Sequence, residues 1–118
     1  MRYLLLIYGN EKQWGDMGAP DQKMEFEAYD AFGKWLAEKG WFQAADALQP
    51  TSTATSVRLR EGKLLTTDGP FAETKEQLGG FYLIQCENLD QAIEAASKIP
   101  AARGGTIEVR PIQEFPQA

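Results

Sequence analysis

The chain has 118 residues, 12 basic and 17 acidic side chains, a net charge of −5 and no histidine; it is the length of one domain and lacks the basic patch that nucleic-acid phosphates require, which excludes direct nucleic-acid binding. Without histidine there is no Ser-His-Asp or Cys-His chemistry and no imidazole ligand, so neither metal nor cofactor is expected. No apolar run nears the ~20 residues of a membrane span, and the apolar run after Met1-Arg2 is too short for a secretion signal; the expectation is a cytoplasmic protein without membrane contact, its single Cys86 reduced and buried.

Residues 1–118 read as one domain with no internal repeat or linker. Leu4-Leu5-Leu6-Ile7-Tyr8 is apolar without alternation, which predicts a strand covered on both faces. In so short a chain helices cover one face, and a second subunit is the economical cover for the other. The glycine-rich stretch from Gly9 to Pro20 reads as a loop, with Trp14 either docked on the domain or closing over a pocket. A helix is predicted from Asp21 to a stop at Gly40, with Met24, Ala28, Ala31, Phe32, Trp35 and Leu36 on one buried stripe.

Trp41 to Leu48 reads as a short strand followed by an irregular stretch ending at Pro50. Val57-Arg58-Leu59-Arg60 alternates, Glu61-Gly62 suits a two-residue turn, and Lys63 to Thr67 returns as the second strand of a hairpin. Alternation puts Val57 and Leu59 on one face and Arg58 and Arg60 on the other; Arg60 is a candidate contact for an anionic ligand, or else part of a solvated face. Gly79-Gly80 permits a bulge or a close backbone approach before the buried strand from Phe81 to Cys86. Asn88, with Gln91 three residues on, starts a second helix whose buried face carries Leu89, Ala92, Ile93, Ala96 and Ile99, and Pro100 ends it. Thr106 to Arg110 alternates as a final strand. The order is β-α-β-(β-hairpin)-β-α-β, an embellished split βαβ unit.

Between the hairpin and the last apolar strand lies Asp68-Gly69-Pro70-Phe71, followed by Ala72-Glu73-Thr74-Lys75-Glu76. Asp68 can accept amide bonds, Gly69 tolerates positive φ, and Pro70 pushes Gly69 out of the helical region, so a sharp turn is predicted with Phe71 as its apolar anchor. These residues, with Tyr3 to Gly9, Gln77 to Ile84 and Pro100 to Pro111, closely resemble the YCII-related family in its DGPF-domain branch, across nearly the whole chain. The resemblance implies a ferredoxin-like α+β fold, βαββαβ with an added β-hairpin and an antiparallel sheet, that pairs as a homodimer into a dimeric α/β barrel.

Two functions follow as expectations. In the first, Asp68 is a general acid or base, shielded by Pro70 and Phe71, acting on a small organic acid by isomerisation or elimination as some relatives in that superfamily do. Tyr8, Arg60, Phe71, Glu73 and Lys75 would contact the ligand. Some relatives set a histidine beside the acid, and this chain departs from them in having none. In the second, the chain is a non-catalytic metabolite-binding or regulatory module, since DGPF-type proteins resemble companions of extracytoplasmic-function sigma factors, with a protein partner. For each residue there is also a plain structural role: Asp68 bonded to its own turn, Glu73 and Lys75 as a solvated ion pair, Tyr8 as packing.

Overall fold

The computed structural model describes residues 1–116. In chain order it has β1 (Arg2–Gly9), α1 (Glu11–Asp16), α2 (Ala19–Lys39), β2 (Phe42–Ala47), β3 (Thr55–Arg60), β4 (Lys63–Asp68), β5 (Gln77–Gln85), α3 (Leu89–Lys98) and β6 (Thr106–Pro111), with 3-10 turns at Thr51–Thr53 and Pro100–Arg103. Four strands form one antiparallel sheet in the order β2-β5-β1-β6, and β3 and β4 form a separate two-stranded ribbon. With α2 and α3 as the two crossovers, this is the ferredoxin-like α+β arrangement carrying an added hairpin.

The unalternating apolar runs are the two central strands, which explains their composition. Tyr3 and Leu5 turn to the helices and are buried with Ile84, Phe32, Leu36, Ala92, Ala95, Ala96 and Ile99. Leu4 pairs with Leu83, and Leu6 with Phe81, on the opposite face of the sheet, where all four are half-buried. Neither long helix lies over that second face, since both contribute to the single core.

Several local expectations need correction. Gly9 to Pro20 is not all loop: Asn10 accepts from the amides of Lys12 (2.9 Å) and Gln13 (3.3 Å) and so starts α1. The longer helix begins at Ala19, two residues before Asp21, and stops at Gly40 in the left-handed region, φ 74°. Met24 is 67% exposed, so the stripe facing the core is centred on Phe32 and Leu36 and fades toward the N-terminal half. On α3 the buried positions are Ala92, Ala95 and Ala96. Leu89 and Ile93 are half exposed, because the buried stripe runs through Ala92, Ala95, Ala96 and Ile99 and these two lie at its margin. The turn between β3 and β4 has Glu61 at φ 53° and Gly62 at φ 75°, the conformation that matches the twist of a two-residue hairpin.

Both readings of Gly79-Gly80 hold. Ile7 faces Gly80 while Tyr8 faces Leu78, so Gly79 is the bulged residue of β5. At Gly80 a Cβ would sit 2.8 Å from the carbonyl oxygen of Asp46 and 3.3 Å from the Cα of Ala47. Only glycine lets β2 approach β5 that closely.

Candidate functional site

The bulge and that close approach shape the mouth of a cleft between the sheet and the first two helices. Its volume is about 780 Å³, within the range of small-molecule sites. The floor comes from Ile7, Gly80 and Tyr82, one wall from Ala45 to Leu48, and the opposite wall from Phe26 and Tyr29 on α2. Trp14 on α1 stands at the rim, packed edge-on against Phe26 with ring centroids 5.5 Å apart. Gln22 fixes α1 in place, its side-chain amide donating to the carbonyls of Trp14 and Met17, each at 3.2 Å.

Polar groups at the cleft are few. Glu11 accepts from the Thr51 amide at 2.7 Å and from its hydroxyl at 2.9 Å, which ties the start of α1 to the turn ahead of the hairpin. The Glu11 amide donates to Gln77 at 3.0 Å. The amide of Leu48 donates to the bulge carbonyl of Gly79 at 2.8 Å. Asp46, exposed, is the second carboxylate of the lining, and no lysine or arginine belongs to it. Burial, with the Glu25 carboxylate nearby, pushes the Tyr29 phenol up to about 12. Burial raises the Tyr82 phenol as well. Both therefore stay protonated at neutral pH and can donate hydrogen bonds.

The residues singled out from sequence lie elsewhere. Asp68 is exposed at the end of β4, opposite Thr55, and lines no part of the cleft. The turn after it forms as expected, with Gly69 at φ 97°. It is closed by the Gly69 amide on the carbonyl of Ala54 at 2.7 Å and by the Ser56 hydroxyl on the carbonyl of Gly69 at 2.8 Å. Phe71 is 82% exposed, so it anchors nothing within the chain and gives Asp68 no shelter. Glu73 and Lys75 are exposed in the connector to β5, and no ion pair joins them among the described residues. Arg60 is exposed near the hairpin tip, its guanidinium donating to the carbonyl of Leu59 at 2.9 Å. Tyr8 is half-buried on β1, opposite Leu78 and Thr106, outside the cleft lining.

Sequence reasoning thus missed most of the cleft. It placed Trp14 correctly among the alternatives, both docked and at a rim. The helix that carries Trp14 had a signal, since Asn10 followed by Gln13 has the spacing of a capping box. Phe26 and Tyr29, three apart, are helix neighbours on a stripe beside the core stripe. Among the described residues no helix is long and apolar enough to cross a membrane.

Comparison with known proteins agrees with this architecture. The family model of the YCII-related domain matches residues 1–116. An uncharacterized protein of Rhizobium meliloti (strain 1021) is 36% identical over 114 residues, covering 95% of this chain and 92% of the relative.

Proposed function

The chain belongs to the YCII-related family, and we propose that it is a homodimeric small-molecule-binding protein whose cleft takes a compact, largely apolar ligand with a neutral or cationic end. The observation that carries this reading is the lining. Four aromatic rings, from Trp14, Phe26, Tyr29 and Tyr82, line a space to which, among the described residues, Glu11 and Asp46 are the charged residues that contribute and no lysine or arginine does. Aromatic faces attract cations and neutral rings, and a bound carboxylate there would face two like charges without a basic partner. That argues against a small organic acid as the ligand. Tyr29 and Tyr82 supply the donors that fix the polar end.

Pairing through the sheet is supported by the row Leu4, Leu6, Phe81 and Leu83, an apolar surface that neither long helix covers. A catalytic role for Asp68 finds no support in its position: an exposed carboxylate beside an exposed Phe71 has none of the desolvation that would suit it to proton transfer. The function is therefore read as metabolite binding, the regulatory alternative, with the cleft as the sensing site.

A matched set of ligands tests the reading. Indole, tryptamine and indole-3-acetate share one ring system and differ in charge, and a ligand that binds the native state raises the melting temperature. Indole and tryptamine are expected to raise it and indole-3-acetate to leave it unchanged. Asp68→Asn should keep the shift, and Phe26→Ala should lose it. A shift from the acid alone, or one abolished in Asp68→Asn, would overturn the reading.

A further inference from the structure

We infer that the cleft is completed by a second copy of the chain: the β3–β4 arm of one protomer lies across the cleft mouth of its partner, apolar face down on Trp14, Phe26 and Leu48. This rests on the cleft being the ligand site and on the chain being a homodimer.

The arm is unfinished by itself. β3 and β4 pack chiefly on each other, and an isolated two-stranded ribbon is marginal in water. Its register gives it two unlike faces. Leu59 faces Leu64 and Val57 faces Thr66 on one side, while Arg60 faces Lys63 and Arg58 faces Leu65 on the other. Val57, Leu59 and Leu64 are 60%, 67% and 65% exposed, so the apolar face does not rest on its own chain. The cleft rim shows the matching deficit, with Trp14 at 40%, Phe26 at 63% and Leu48 at 49%.

Size and charge identify the occupant. The chain's radius of gyration is 16.6 Å, against about 13.5 Å for a compact chain of this length. It exposes 8664 Å², roughly 2,300 Å² more than a compact monomer of its mass. Permanent interfaces remove on the order of 1,000–2,500 Å² from each partner, so one second copy accounts for the surplus. Residues 10–30, which carry the rim, hold six acidic side chains against Lys12 and Lys23. Arg58, Arg60 and Lys63 form no ion pair among the described residues, and their stems are long enough to bend past the ribbon's edge onto that acidic surface. Reciprocal exchange of two arms is a closed two-fold arrangement and leaves no unpaired end.

The test needs no ligand, so its failure and the failure of the cleft reading are separable. In a Cys86→Ala background, a Leu59→Cys chain is co-expressed with a differently tagged Phe26→Cys chain, and in a control with Ile93→Cys on the exposed side of α3. Mild oxidation is expected to give a mixed disulfide dimer with Phe26→Cys and at least tenfold less with Ile93→Cys. Val57→Cys serves as a second reporter should Leu59→Cys fold poorly, with circular dichroism checking each variant. No link from either reporter, or equal linking to both partners, would overturn the exchange, whereas a positive link with no response to the indole set would leave the arm in place and remove the ligand.

Discussion

Gly80→Ala is the most direct test of how the cleft wall is built. The added methyl would stand 2.8 Å from the Asp46 carbonyl oxygen and 3.3 Å from the Ala47 Cα, so the end of β2 must move by several tenths of an ångström. That end is the wall running from Ala45 to Leu48, held to the bulge by the Leu48 amide on the Gly79 carbonyl at 2.8 Å. Overpacking of this kind costs about 1–3 kcal/mol, and removing a glycine from a strand returns about 0.5–1 kcal/mol. The net loss is about 1–2 kcal/mol, a fall of roughly 3–10 °C in melting temperature for a chain of this size. Gly79→Ala is the internal control, because the nearest atom to its Cβ is the Ile7 carbonyl oxygen at 3.9 Å. It gains the same backbone preference without the clash, and its melting temperature should stay level or rise by a few degrees. Thermal melts followed by circular dichroism read both variants. A Gly80→Ala protein that melts with the wild type, or level with Gly79→Ala, would refute the argument that this glycine is there for backbone approach.

Two further outcomes follow from the same geometry. Gly105→Ala would drive its methyl into the Tyr8 carbonyl oxygen, with the Ala101 oxygen and the Gly9 Cα each 3.2 Å away; no side chain can yield there, so a loss above about 3 kcal/mol is expected, and a normal cooperative melt would contradict it. The Tyr29 phenol, pushed up to about 12 by burial, should ionise last in an absorbance titration near 295 nm. Because its folded value lies above the ordinary 10, its contribution to stability is complete below pH 10 and is lost between pH 10 and 12. Tyr29→Phe should remove that late step, and a variant that keeps the late step and loses an early one would show the phenol to be solvated.

Apart from the cap of α1, features that depend on neighbours in the sequence were legible. The hairpin turn is one such case, since Glu61-Gly62 between alternating strands has few conformations open to it. The stop at Gly40, the bulge at Gly79 and the bend at Gly69 are others, each imposed by backbone sterics. Central strands were legible too, because Leu4 to Tyr8 and Phe81 to Ile84 have no polar face to give to water. The cleft was not. Its lining is assembled from α1, α2, β1, β2 and β5 and the segment after β2, and no local pattern says which of those elements converge. Helix α1, six residues long, is too short to form on propensity and exists because Asn10, Glu11 and Gln22 each hold an end of it. For Asp68 the bend at Gly69 was right, but the turn is closed by Gly69 and Ser56 and not by the Asp68 carboxylate, and the shelter was wrong: sequence sets how the chain bends, while shelter from water depends on what else arrives there.

With the arm exchanged between two copies as inferred above, the Asp68-Gly69-Pro70-Phe71 turn would serve to aim it. It stands at the base of the β3–β4 ribbon, where the Gly69 amide closes onto Ala54 and the Ser56 hydroxyl onto Gly69. On the other leg, Thr51 is held by Glu11 at the edge of the cleft. The two legs of the arm are therefore tied to each other at its base, and the leading leg is clamped to the frame at Thr51, at the edge of the cleft. A ribbon fixed in this way leaves the body in a set direction even though Val57, Leu59 and Leu64 stay exposed, and a set direction is what a reciprocal arm would require to meet its partner's rim without first paying the entropy of searching for it. Phe71, exposed at the same base, would then be apolar surface offered to the partner along with Val57, Leu59 and Leu64, so a residue with no anchoring role within its own chain acquires one in the pair.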